Sequence, residues 1–213
     1  MPSQSGKVYG LTLLCPILDD PTVIPSHDLQ IRGHLAELPT GPDSPFALAP
    51  GTHLARLVVL DDVIYVGMPA REDHLKSKYL VFESNCDGNR DSYLNGLADN
   101  IPDELDKIWK HCTGYPPGGA RGDRAAFLAY MKKCEIETTF FFAPVNNKTR
   151  EETLRALRTK QAVAHFIATH QGMPPAQIQR DILSLCDRLA STPAPKPAAV
   201  RVQRAIVTGG RNE

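Results

Sequence analysis

Neither sign of charge is in excess in this chain: Lys plus Arg and Asp plus Glu each total 24 over 213 residues. Without a net basic field, nothing in the composition draws it to nucleic acid or to an anionic membrane surface. Cysteine is sparse. Cys15, Cys86, Cys112, Cys134 and Cys186 are scattered without CxxC spacing. That pattern disfavours a zinc site or a disulfide framework and reads as reduced thiols in a cytoplasmic protein. No apolar run is long enough to span a bilayer. The strongest, Leu54 to Met68, is interrupted by Arg56, Asp61 and Asp62. The opening MPSQSGKVYG lacks the basic segment and apolar core of a signal peptide. Serine-nucleophile, P-loop and dinucleotide fingerprints are also missing. What is present is ordinary for a globular chain, with 42% hydrophobic and 23% charged residues.

The apolar pattern predicts four strands, at Lys7 to Ile17, Thr52 to Leu60, Tyr79 to Ser84 and Glu137 to Val145. Helical spacing fills the gaps. Ile31, Leu35 and Leu38 mark a short helix over Ser26 to Leu38. After the Asn85 to Asn89 turn, Leu94, Leu97, Ile101, Leu105, Ile108 and Cys112 form an apolar stripe. Pro102 within it should kink or restart the helix, since Pro is tolerated in a first turn. A further short helix is expected over Asp123 to Cys134. The resulting order, β-α-β-β-α-β, is the ferredoxin-like unit of an α+β protein. Thr149 and Glu152 form a T-x-x-E capping box that opens a long helix, and Pro174-Pro175 opens a last one. Expected organisation is therefore a ferredoxin-like domain over 1–148, a helical extension over 149–190 and a disordered Pro- and Ala-rich basic tail over 191–213.

A sheet covered by helices on one face leaves the other needing a partner. The second strand is apolar on both sides, with Leu54, Val58 and Leu60 on one and Leu57 and Val59 on the other. Two-sided burial predicts a homodimer joined through the sheets.

The candidate chemistry is spread along the chain. His53 and Arg56, three apart on a strand, point to opposite faces unless a bulge or the strand mouth intervenes. At the mouth His53 can act as acid, base or ligand; otherwise it bonds a loop. Glu83, on one face with Tyr79, Val81 and Asn85, either forms a polar patch in an apolar cavity or pairs Arg56 across the strands. His111 closes the central helix, where the dipole favours it, or stands at a pocket rim under a lid running through Arg121. His165 on the long helix either borders the core or faces the sheet as a proximal haem ligand. His27 and His34, seven apart, lack a third metal ligand.

The order of elements, centred on THLARLVVLDD and KYLVFESNCDGNRDSYLNGL, resembles the dimeric α+β barrel superfamily over roughly residues 7–146. That superfamily includes Dyp-type peroxidases, chlorite dismutases, haem-degrading monooxygenases and cofactor-free enzymes. Asp87-Gly88 matches the end of the Dyp-type G-x-x-D-G motif, with Ser84 in place of the first Gly. The resemblance implies a redox enzyme acting on a small apolar molecule in a sheet-enclosed cavity, with haem as a candidate cofactor. In that reading His53, Arg56 and Glu83 are the catalytic candidates, and His111 and His165 the cofactor-binding ones. The rival class is a non-catalytic binding or accessory protein on the same scaffold.

Overall fold

The computed structural model describes residues 3–63, 67–68 and 74–192. They form an α+β structure with one four-stranded antiparallel sheet and seven helices. The disorder expected of the tail concerns residues that lie, from 193 onward, outside those described. No helix among the described residues is long and apolar enough to cross a membrane.

Strands β1 (Gln4–Ser5), β2 (Val8–Pro16), β3 (Thr52–Leu60) and β4 (Tyr79–Asp87) lie in the order β1-β2-β4-β3. Both β2 and β3 run antiparallel to the central β4. Along β4 burial alternates strictly, as period-2 geometry requires. Leu80, Phe82, Ser84 and Cys86 point inward, while Tyr79, Val81, Glu83, Asn85 and Asp87 point to the other face and are only half buried.

The inward face is covered by helices: α1 (His27–Glu37), α2 (Arg90–Asn100), α3 (Pro102–Trp109), the single turn α4 (Gly119–Gly122) and α5 (Arg124–Cys134). Leu94, Leu97, Leu105 and Ile108 are each at most 1% exposed, so the sequence stripe is the buried stripe. Trp109 meets Phe82 edge-on at 5.4 Å between ring centroids, joining the helical layer to the central strand. Pro102 restarts the helix: Ile101 leaves helical geometry (φ −136°, ψ 40°), and α3 begins with Pro102 at its first position. Asn89 and Asp123 cap α2 and α5 through their side-chain oxygens.

The fourth strand expected over Glu137 to Val145 does not form. Just before it, Glu135 bridges Leu13 of β2, and the Ile136 N–H donates to the Thr12 carbonyl at 2.9 Å. The reason is competition for one edge. β1 pairs Gln4 with Tyr9 and Ser5 with Val8, so the start of β2 is already occupied. Phe141 lies against Gly10, where any Cβ would stand 2.8 Å from its ring, while Phe140 and Phe142 are exposed. The Gly- and Pro-rich loop expected as a lid is fastened. Asp106 accepts hydrogen bonds from the Tyr115 hydroxyl (2.5 Å) and the Ala120 amide (2.8 Å).

The chain divides into two compact units between Arg150 and Glu151. Helix α6 (Arg150–Thr169) crosses that boundary, and α7 (Pro175–Ser191) belongs to the second unit. There Phe166 stacks on His170 at 3.9 Å between centroids, and His170 faces Asp181 at 3.3 Å.

Candidate functional site

A β-bulge decides the geometry around His53. Thr52 pairs with Cys86 and Leu54 with Asn85, so His53 is an extra residue opposite no partner of its own. An inserted residue re-aims the side chains on the bulged strand. His53 Nε2 lies 2.7 Å from Asp87 Oδ1, on the face of β4 that also carries Asn85 and Glu83. The bulge thus supplies the condition under which His53 and Arg56 share one face.

Asp87 is held from several directions. Its own amide donates to the Gly51 carbonyl at 2.9 Å. Its carboxylate accepts from the Arg150 backbone N–H at 3.0 and 3.2 Å. Gly51 has φ +77°, and a Cβ there would stand 3.0 Å from Asp87 Cβ, so glycine is required by both conformation and space. The Arg150 guanidinium donates to the carbonyls of Ala47, Ala49 and Thr52 at 3.2 to 3.3 Å. It gathers the loop that delivers His53 into β3.

Beneath the bulge lies a buried polar group. The Tyr93 hydroxyl bonds Ser84 Oγ at 2.7 Å and accepts from Thr52 Oγ1 at 3.3 Å, and Ser84 Oγ donates to the Leu54 carbonyl at 2.8 Å. Burial pushes the Tyr93 phenol up to about 12, so it stays protonated at any physiological pH. The Ser84 bond supplies a donor to the Leu54 carbonyl beside the bulge.

Arg56 and Glu83 face each other across the strands and form a direct ion pair, with side chains 64% and 35% exposed. Both stand on the half-exposed face with Leu54 (52% exposed) and Val58 (43%). Asp87 and Glu83 are four residues apart, about 13 Å along the strand.

His111 is elsewhere. It is buried (7% exposed) at the end of α3, and its carbonyl accepts from the Leu18 amide at 2.9 Å, just beyond β2. That is the Tyr79 end of β4, whereas His53 adjoins the Cys86 end, ~23 Å away along seven residues. His111 Nδ1 lies 2.9 Å from Nδ1 of His27 on α1, so the ring packs against the helical layer. Burial, with the nearby Lys110, His27 and His34 charges, lowers its pKa to about 4, and the imidazole is neutral above that. His34, one helical face along, pairs with Glu104 of α3. Among the described residues no group of three or more His, Cys, Asp or Glu is arranged to hold a metal.

His165 is exposed on α6 in the second unit. The five candidates therefore separate: His53, Arg56 and Glu83 share a sheet face, His111 lies at the other end beside α1, and His165 belongs to another unit. Of the two cofactor-binding candidates, His111 is buried with Nδ1 beside His27, and His165 is exposed. Asp87 and Arg150 escaped sequence reasoning as site residues. The Asp87-Gly88 turn was a local signal for the first; Arg150, 63 residues further on, has none. An imidazole donating through Nε2 to a carboxylate keeps Nδ1 as its basic nitrogen, the arrangement of an oriented general acid–base group. No protein-family model, curated protein or solved structure matches this chain.

Proposed function

We propose that the half-exposed sheet face is one wall of a small-molecule site in which His53, oriented by Asp87, serves as the acid–base group. The bulge carries this reading, because it brings His53 onto the face that holds Arg56, Glu83, Leu54 and Val58. A few polar groups in an apolar surface is the make-up of a ligand site. The second wall would be the same face of another copy, giving a homodimer of the dimeric α+β barrel type. The antiparallel order β2-β4-β3 with helices on one side supports that scaffold as three strands of a ferredoxin-like sheet. The reaction proposed is redox conversion of an apolar substrate. Its His53 would take a proton from, or return one to, the bound molecule, while Arg56 sets the local charge.

The experiment is a turnover screen of phenols and quinols with dioxygen or hydrogen peroxide, run on wild type, His53→Ala and Asp87→Asn. Loss of turnover in His53→Ala at unchanged melting temperature is expected, with a smaller loss in Asp87→Asn. A variant that melts early yet keeps its specific activity in the cold would reject the assignment. Binding of an apolar fluorophore without turnover by any protein would point to the binding-protein class. The absorbance spectrum of the same preparation tests haem directly through a Soret band.

A further inference from the structure

Asn85 stands in the middle of the half-exposed sheet face, among charged groups that are paired off while its own carboxamide is not. Arg56 holds Glu83, and Asp87 holds His53. The Asn85 amide has no hydrogen-bond partner among the described residues. Its strand neighbours are Gly10 of β2 on one side and Leu54 of β3 on the other. Opposite residues of antiparallel strands share a face, with Cβ positions about 5 Å apart. Asp87, with His53 against it, lies two residues along the same face, ~7 Å from Asn85. The Gly10 side is closed by an aromatic ring. Gly10 is buried although it belongs to this face, because Phe141 covers it: ring atoms Cδ2 and Cε2 stand 2.8 Å from where a Cβ would be. The segment carrying that ring is tied down at both ends. Before it, the Ile136 N–H donates to the Thr12 carbonyl. After it, the Asn146 carbonyl accepts from the Lys7 amide at 2.6 Å, and the Asn146 side-chain amide donates to Ser5 Oγ at 3.0 Å. Across the face therefore run an aromatic ring, a free carboxamide and a carboxylate-oriented imidazole.

We propose that Asn85 and Phe141 select the ligand of the His53 site, and that its class is a planar ring bearing an acidic hydroxyl, as in a phenol. The proposal rests on the reading of His53 as the acid–base group. The ligand's ring packs against Phe141, where paired aromatic rings gain more than their area alone gives. Its oxygen meets the Asn85 N–H, and its proton passes to Nδ1 of His53. The O–H bond breaks, an N–H bond forms, and the negative charge stays on the oxygen. A carboxamide suits that oxygen at both stages. It donates to the neutral hydroxyl and more strongly to the anion, and unlike a carboxylate it does not repel the charge. A ring without the hydroxyl offers the amide nothing and leaves its donor unpaired once water is displaced, so it is discriminated against.

The test compares two probes on the folded full-length protein: 4-nitrophenol, whose phenolate absorbs visible light, and nitrobenzene, the same ring without the hydroxyl. Equilibrium dialysis gives the affinities, absorbance gives the bound phenolate fraction, and the melting temperature controls for folding. Wild type should bind 4-nitrophenol about tenfold more tightly than nitrobenzene, the effect of one hydrogen bond to a charged oxygen, and should raise the phenolate fraction. Asn85→Leu, which keeps a branched side chain and removes the amide, should weaken 4-nitrophenol alone and cut the preference to about twofold or less. Phe141→Ala should weaken both probes severalfold. Gly10→Ala should do the same from beneath the ring, by setting a Cβ against it; Gly10 has no positive φ, so the backbone tolerates the change. The proposal is overturned if wild type binds neither probe or binds both equally, or if folded Asn85→Leu keeps the preference. It is overturned equally if both Phe141→Ala and Gly10→Ala leave the affinities unchanged. His53→Ala tells this proposal from the reading beneath it. An unchanged phenolate fraction in that variant, with the preference still dependent on Asn85, would refute His53 as the base and leave selection by Asn85 and Phe141 standing.

Discussion

Lowering the pH toward 5 should destabilise the first unit through His111, by an amount its burial sets. The ordinary value of 6.5 is lowered to about 4 in the fold. As pH falls, the unfolded chain therefore binds a proton before the folded one does. The contribution is complete above 6.5 and is lost progressively as pH falls through the window down to about 4. A shift of this size sets a ceiling of ~3 kcal/mol, at about 1.4 kcal/mol per pKa unit. Between roughly pH 7.5 and pH 5 the linkage relation gives about 2 kcal/mol. For a domain of this size that is a fall in melting temperature of roughly 4–8 °C. The assay is urea unfolding across this pH range for wild type and His111→Gln, which keeps a neutral polar group beside His27 but cannot take up the proton. The two stability curves should diverge by about 2 kcal/mol over the window, the variant's being the flatter. Parallel curves would show that His111 is not held neutral by the fold, and the reasoning about its burial would fail.

Gly51→Ala should destabilise by roughly 1–3 kcal/mol, since a side chain at positive φ beside Asp87 is strained, and NMR of the His53 ring should show its carboxylate contact disturbed. Arg56→Ala and Glu83→Ala should each cost less than about 1 kcal/mol, because the pair is exposed, and a double-mutant cycle by denaturant titration would expose any larger coupling. Truncation after Thr192 should leave the melting temperature within a few degrees on the grounds of composition alone, and calorimetry revealing a larger drop would mean the removed segment contributes to the fold.

Most of the elements were legible because local chemistry and burial agree. The α2–α3 stripe carries its periodicity, its Pro102 restart and its buried face in a single stretch of chain. Strand β4 alternates in sequence as it does in burial. The segment after α5 was misread because β-propensity is a local property and edge availability is not. Phe140, Phe141 and Phe142 suit a strand, yet the N-terminal pair Gln4–Ser5 already occupies the start of the β2 edge. No feature within residues 137–145 carries that information.

The site shows the same division more sharply. That Arg56 would meet Glu83 followed from neighbouring strands and opposite charge, and it does. That His53 would share their face depended on a bulge, and a bulge is a property of pairing rather than of a single strand. Its marks in the sequence are indirect: Gly51 permits the turn, and Ser84, Thr52 and Tyr93 are hydroxyl residues at buried positions. Hydroxyls in a core need partners, and here they serve the backbone around the bulge while bonding one another. Arg150, bonded to the carbonyls of Ala47, Ala49 and Thr52 and at Asp87 through its amide, completes the arrangement from a distant part of the chain. The placement of His53 is consequently over-determined, by a glycine, a hydroxyl group of three and a guanidinium. A surface histidine with only a loop to bond would not require so many supports, and that excess of positioning is the strongest physical argument for testing His53 first.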